Sequence, residues 1–271
     1  MVIDFHTHIF PDKIAEKTIG VLGTAANIVP STRGTADSLI DHMKSSGVSI
    51  SINLPVLTSP TQFESVLEFA KRINEKYALG DQRIISFAGM HPKCENVYQK
   101  LKQVKEAGIK GVKIHPDYQA TFIDYEGYLE MLSFAKELDL ITVTHSGVDD
   151  GFPNEEVKCT PERLVKVIEK VKPKKFVLGH YGAHKQWQEV FDLLCDYDVY
   201  FDTAFTFHEI DKELFVKILN KHGVDKVLFA TDSPWRDQKK DLEILASYTL
   251  DKDVMDKILY KNAIRLLRIG E

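Results

Sequence analysis

The sequence predicts a closed (β/α)8 barrel, and three observations carry that expectation. Short β-branched runs alternate with helix-period segments from one end of the chain to the other. Eight such runs fit into 271 residues, a length ordinary for a barrel of this kind. No composition shift, repeat or low-complexity tract divides the chain, so residues 1–271 are read as one domain. Uninterrupted alternation implies parallel strands joined by right-handed crossovers. An open doubly wound sheet is the alternative, and it would leave edge strands that tend to be shorter or more charged.

In chain order the first strand covers residues 2–6, and a long loop leads to a helix at 36–45 closed by Gly47. A strand at 48–54 and a helix at 62–77 follow, then a strand at 84–88 and a helix at 97–107 closed by Gly108. The strands at 111–114 and 141–144 bracket a helix at 127–138. Thr160-Pro161-Glu162-Arg163 places an N-cap threonine before a proline at the first helical position, and starts the helix at 161–171. The strands at 176–178 and 199–201 are joined by a helix at 185–195. A helix at 212–222 ends at Gly223, a strand at 227–230 is the eighth, and helical patterns at 242–248 and 253–267 complete the chain.

Thirty-five basic and 40 acidic residues give a formal net charge of −5, with a sequence pI near 6.1 and no block of like charges. That balance argues against nucleic acid or an anionic membrane surface as partner, and makes a small-molecule substrate the default. The longest apolar stretches fall far short of a membrane span, and the first residues do not read as a signal peptide. Cys94, Cys159 and Cys195 are odd in number and widely spaced, which suggests reduced thiols and a cytoplasmic setting. A homodimer is compatible with these observations.

In such a barrel the reactive groups belong where each strand ends and its loop begins. His6 and His8, His91, His115, His145 and His180 all fall at such places, as does Asp232 after the eighth strand. His6 and His8 are two residues apart, so an extended backbone points both imidazoles to one face. Three imidazoles (His6, His8, His145) and the Asp232 carboxylate suit Zn2+ or a similar divalent ion, with a position left for water. A polar pair hydrogen-bonded at a strand end is the plainer account of His6 and His8. His42 and His222 read as structural, and Asp202 as a partner to a ligand or a catalytic group.

The HxH at His6/His8, the segment Gly111-Val112-Lys113-Ile114-His115-Pro116, His145, the Gly179-His180 pair and Thr231-Asp232-Ser233-Pro234-Trp235 form an ordered set. That set resembles the amidohydrolase superfamily of metal-dependent TIM barrels. The branch it is most similar to is the amidohydrolase-related group that includes aminocarboxymuconate-semialdehyde decarboxylase-like enzymes. The resemblance implies one catalytic metal, zinc with manganese as alternative, held by His6, His8, His145 and Asp232. It also implies that His180 stands beside the activated water or serves a second metal. Lys113 and His115 are the strand-four candidates for a second metal, with Lys113 as a carboxylated bridge, or for substrate binding.

The activity so implied is hydrolysis of an amide, lactone or ester by activated water, with Asp232 and His180 moving protons. The alternative is a metal-dependent non-oxidative decarboxylase of an unsaturated or aromatic carboxylate, a carbon–carbon lyase. A noncatalytic metal-binding barrel is disfavoured by an acid–base group beside the ligands. The decarboxylase needs cations for its carboxylates, so Arg33, Lys113 and Arg236 are the discriminating residues. His91 and Trp235 complete the expected substrate-binding set, and an anionic or partly aromatic substrate is expected.

Overall fold

The computed structural model describes residues 1–270. β1 (Ile3–Thr7), β2 (Ile50–Asn53) and β3 (Arg83–Ser86) form one parallel sheet. β4 (Ala88–Gly89), β5 (Gly111–Ile114), β6 (Ile141–Thr144), β7 (Phe176–Leu178), β8 (Tyr200–Asp202) and β9 (Val227–Leu228) form a second, also parallel. β3 and β4 are the two halves of the third expected strand. They are separated only by Phe87, whose N–H still donates to the Asn53 carbonyl at 2.9 Å.

The ring closes between the last strand and the first. Phe5 N–H donates to Phe229 O at 2.9 Å, Asp232 N–H to His6 O at 2.8 Å and His8 N–H to Ser233 O at 2.6 Å. Eight strand positions therefore make a barrel, not the open sheet that was the alternative. One buried apolar cluster takes in Phe5, Ile52, Phe87, Val143, Val177 and Leu228, side chains from strands all round the ring. Ala263, Leu266 and Leu267 of the C-terminal helix belong to the same cluster.

The helices α2 (Ala36–Ser46), α3 (Phe63–Lys76), α4 (Val97–Glu106), α5 (Glu126–Glu137), α6 (Pro161–Val171), α7 (Trp187–Leu193), α8 (Lys212–His222) and α9 (Gln238–Ser247) follow the expected order. Gly47, at φ 76°, ends α2 in the left-handed conformation. The Thr160 hydroxyl accepts from Arg163 N–H and caps α6. α9 begins four residues before the expected helix, because the Asp237 carboxylate caps it by accepting from Lys240 N–H. The final helix is not continuous: α10 (Lys252–Asp256) and α11 (Asn262–Leu267) flank a π-helical turn at Lys257–Lys261.

The long loop expected after the first strand instead contains a helix, α1 (Asp12–Ala26). Its buried face is Ala15, Ile19 and Gly23, only one of them large, while Ile14 and Val21 lie exposed. Apolar residues on both sides hide the single stripe that marks an ordinary surface helix. Gly23 is required by close packing, since a Cβ there would lie 2.8 Å from the Ile28 carbonyl oxygen.

Asp4, fully buried, ties the seam together. Its Oδ1 accepts from Thr231 N–H at 3.0 Å and its Oδ2 from the Thr231 hydroxyl at 2.5 Å and Gln238 Nε2 at 2.8 Å. Burial pushes the carboxyl up to about 7 against these donors. Asp4→Ala leaves those donors unpartnered in the core, so it is expected to cost about 3 kcal/mol of stability, read as a lower urea midpoint.

Candidate active site

A cavity of about 690 Å3 opens at the ends of the strands. His6, His8, Lys113, His115, His145, His180, Asp232 and Trp235 all line it. These eight were expected from the sequence; three others were not found there. Arg33 is exposed, and His91 is buried with its Nδ1 accepting from Lys93 N–H. Arg236 donates to the buried Asp241 carboxylate, from Nη2 at 2.6 Å and Nε at 3.2 Å.

The partners of each ring fix its tautomer. His6 Nδ1 donates to Asp202 Oδ2 at 2.9 Å, and His8 Nδ1 to the Leu54 carbonyl at 2.9 Å. Both Nε2 atoms are then lone-pair donors, and both face Asp232 Oδ1, at 3.6 Å and 3.0 Å. Three electron-rich atoms converge with no proton among them, which calls for a cation. Part of that demand is met by Lys113, whose Nζ donates to His6 Nε2 at 3.0 Å. Burial pushes the Lys113 ammonium down to about 8, while the Asp202 and Asp232 carboxylates act to raise it.

Burial acts to raise the Asp232 carboxyl, but its contacts with the protonated forms of the His8 and His6 rings outweigh it and leave it below its ordinary value. His6 is lowered, by burial first and then by the Lys113 charge. Asp202, raised by burial, also accepts from His180 N–H at 3.0 Å and Ala204 N–H at 3.1 Å through Oδ1. It thus orients His6 and the backbone of His180 at once.

His145 sits differently from the expected four-ligand set. Its Nδ1 donates to His180 Nε2 at 2.8 Å, since His180 Nδ1 is committed to the Ala204 carbonyl at 3.0 Å. The His145 ring stacks on His115 at 4.2 Å, and the donor atoms converging with its own are those of His115 and Asp149. His145 Nε2 is buried without a hydrogen-bond partner. His115, His145 and His180 are all lowered by burial, His180 to about 4, so these rings are neutral near pH 7.

The backbone is bent to make this arrangement. His180, Tyr181 and Asp232 have φ of 58°, 58° and 71°, a left-handed conformation uncommon for residues with a Cβ. Gly179 has no room for a Cβ, which would lie 2.8 Å from the Thr144 carbonyl oxygen. The strand expectation places His180 and Asp232 at the right depth but cannot show this turn.

Asp149 and Arg72, which also line the cavity, were not found from the sequence. Asp149 lies four residues past His145, and that spacing in a strand-end loop is the signal that could have found it. A third grouping, Asp150, His184 and Glu209, is bridged by Lys185, 2.6 Å from Asp150 Oδ1, and its Asp150 and His184 line the same cavity. No described helix is long and apolar enough to cross a membrane.

The fold is shared with solved structures at low identity. An uncharacterised TIM-barrel protein from Bordetella bronchiseptica superposes with a TM-score of 0.78 at 15% identity, covering 98% of each chain. A dihydroxybenzoic acid decarboxylase from a Polaromonas species, solved with bound manganese and the inhibitor 2-nitroresorcinol, gives 0.73 at 16% identity, covering 100% of this chain and 97% of that one. A probable 2-pyrone-4,6-dicarboxylic acid hydrolase from Acinetobacter baumannii, with citric acid bound, gives 0.67 at 16% identity, covering 98% and 99%. A search of curated proteins finds no matching relative. The family model described as amidohydrolase matches residues 3–269, and the chain belongs to that family.

Proposed function

We propose that the protein is a metal-dependent hydrolase that opens an amide, ester or lactone bond of a small molecule. The observation that supports it best is the convergence of His6 Nε2, His8 Nε2 and Asp232 Oδ1, three acceptors with no proton of their own among them. Two imidazoles and a carboxylate fit zinc, and manganese as well. His145 Nε2, buried and unpartnered, is the nitrogen left over for the metal or the substrate. The metal, when bound, supplies Lewis acidity toward a carbonyl and makes water acidic enough to lose a proton near neutral pH.

The chain's own groups do the rest. Asp232, held as a carboxylate, accepts the proton of the attacking water and returns it to the leaving nitrogen or oxygen. His180 is neutral and fixed from both ring nitrogens, so it positions the His145 ring and leaves His145 Nε2 without a proton. Asp202 holds His6 with its Nε2 toward the site. Asp202→Asn is expected to weaken metal binding 10- to 100-fold, measured by competition with a chromophoric chelator.

Decarboxylation is the second reading, and Lys113 favours it, because a buried cation on the cavity wall can hold a carboxylate. Arg33 and Arg236, the other cations that chemistry calls for, lie off the cavity. The two readings part in a screen of the metal-loaded protein against lactones, amides and aromatic carboxylates, with carbon dioxide recorded beside hydrolysis. Ring opening or amide cleavage without gas supports the hydrolase; gas release from a carboxylate overturns it.

A further inference from the structure

The catalytic groups occupy only one end of the cavity. From His8 and Asp232 it continues between α1 and α3, and the walls there change character. At the start of α1 and along it, Pro11, Ile14, Thr18, Leu22 and Ala26 line the cavity, spaced three and four apart as one face of a helix, with Lys13 beside them near the first turn. Opposite them, the segment entering α3 and α3 itself contribute Gln62, Val66, Phe69 and Arg72, again at helical spacing. At 1.5 Å per residue these faces run on the order of 15 to 22 Å. The cavity of about 690 Å3 thus holds both the site and an arm that runs from it along the two helices.

α1 carries two apolar faces. Ala15, Ile19 and Gly23 pack inward, while Ile14, 50% exposed, and Leu22 face the arm, where no segment among the described residues covers them. Apolar side chains left open along the wall of a cavity that runs on to reactive groups suit an apolar part of a bound molecule. Its continuity with His8 and Asp232 identifies the occupant as part of the molecule that reacts there.

We propose that the arm seats a hydrocarbon chain, so that the substrate is amphiphilic: a lactone, ester or amide head joined to an alkyl or alkenyl tail. The head reaches the His6, His8 and Asp232 end, and the tail lies between Leu22 on α1 and Phe69 on α3. This rests on the hydrolase reading for the chemistry of the head, but the tail site can be measured without turnover.

The test is calorimetric binding of butanoate, hexanoate, octanoate and decanoate, below their micelle concentrations, to the metal-loaded protein, beside hydrolysis of γ-lactones with side chains of matching length. Affinity is expected to rise about fourfold per methylene until the arm is filled, and KM for the lactones to fall in parallel with little change in kcat. Ala26→Trp on α1 and Val66→Asp on α3 are each expected to remove the gain from the longer chains. Affinity independent of chain length in the wild type overturns the proposal, whatever the variants do. So does a dimer that Ile14→Asp splits while alkanoate affinity stays flat, since a second copy would then cover the face. A rising alkanoate series without lactone opening supports the arm and counts against the hydrolase reading; lactone opening with a flat series does the reverse.

Discussion

Asp232→Asn is expected to lower kcat by about a thousandfold while leaving the folded protein intact. The carboxylate Oδ1 lies 3.0 Å from His8 Nε2 and 3.6 Å from His6 Nε2, and its backbone N–H donates to His6 O. Asparagine keeps the shape and that backbone bond, and it still offers one oxygen toward the imidazoles. It cannot take a proton from water, and general-base catalysis contributes about 10²- to 10⁴-fold. Because the residue also faces the proposed metal, the variant is assayed at saturating metal with its metal content measured. Turnover within a few-fold of wild type at full metal occupancy would move the proton-transfer role to another group on the cavity wall.

Removing the metal is expected to cost the protein its activity and a measurable share of its stability. Free ligand at a hundredfold its dissociation constant adds about 2.7 kcal/mol to the native state, which for a chain of this size is about 5–10 °C in Tm. The proposed ligands stand at the end of β1 and beyond β9, the seam where the barrel closes, so a bound metal would also brace that seam. Chelator-treated protein should melt lower, and zinc or manganese should restore Tm together with about one ion per chain. Identical melting of treated and reloaded protein, with no ion bound, would contradict the metal site. In His6→Ala and His8→Ala the restoration is expected to be lost.

The barrel was legible because its signals are local and repeated. A strand such as Ile141–Thr144 is a β-branched run followed at once by a reactive side chain, and a helix such as Pro161–Val171 carries its own cap. His6 and His8 were legible for the same reason, since the period of a strand alone puts both rings on one face. What the sequence did not show depends on contacts between distant segments. α1 has no single apolar stripe, because one of its faces meets the barrel and another meets the cavity. Arg236 and Arg33 stand in strand-end segments, yet a buried Asp241 five residues on captures the first and solvent the second. Which imidazole nitrogen faces which partner at His145 and His180 is set by backbone carbonyls such as that of Ala204, and no spacing in sequence reports it.

The central claim is that water is the nucleophile at the His6, His8 and Asp232 site. The most direct measurement is mass spectrometry of the product formed by the metal-loaded enzyme in ¹⁸O-labelled water, with the gas phase sampled at the same time. The product acid should carry one oxygen atom from the solvent, with no carbon dioxide released. A product without solvent oxygen, formed with one carbon dioxide per turnover, would contradict it.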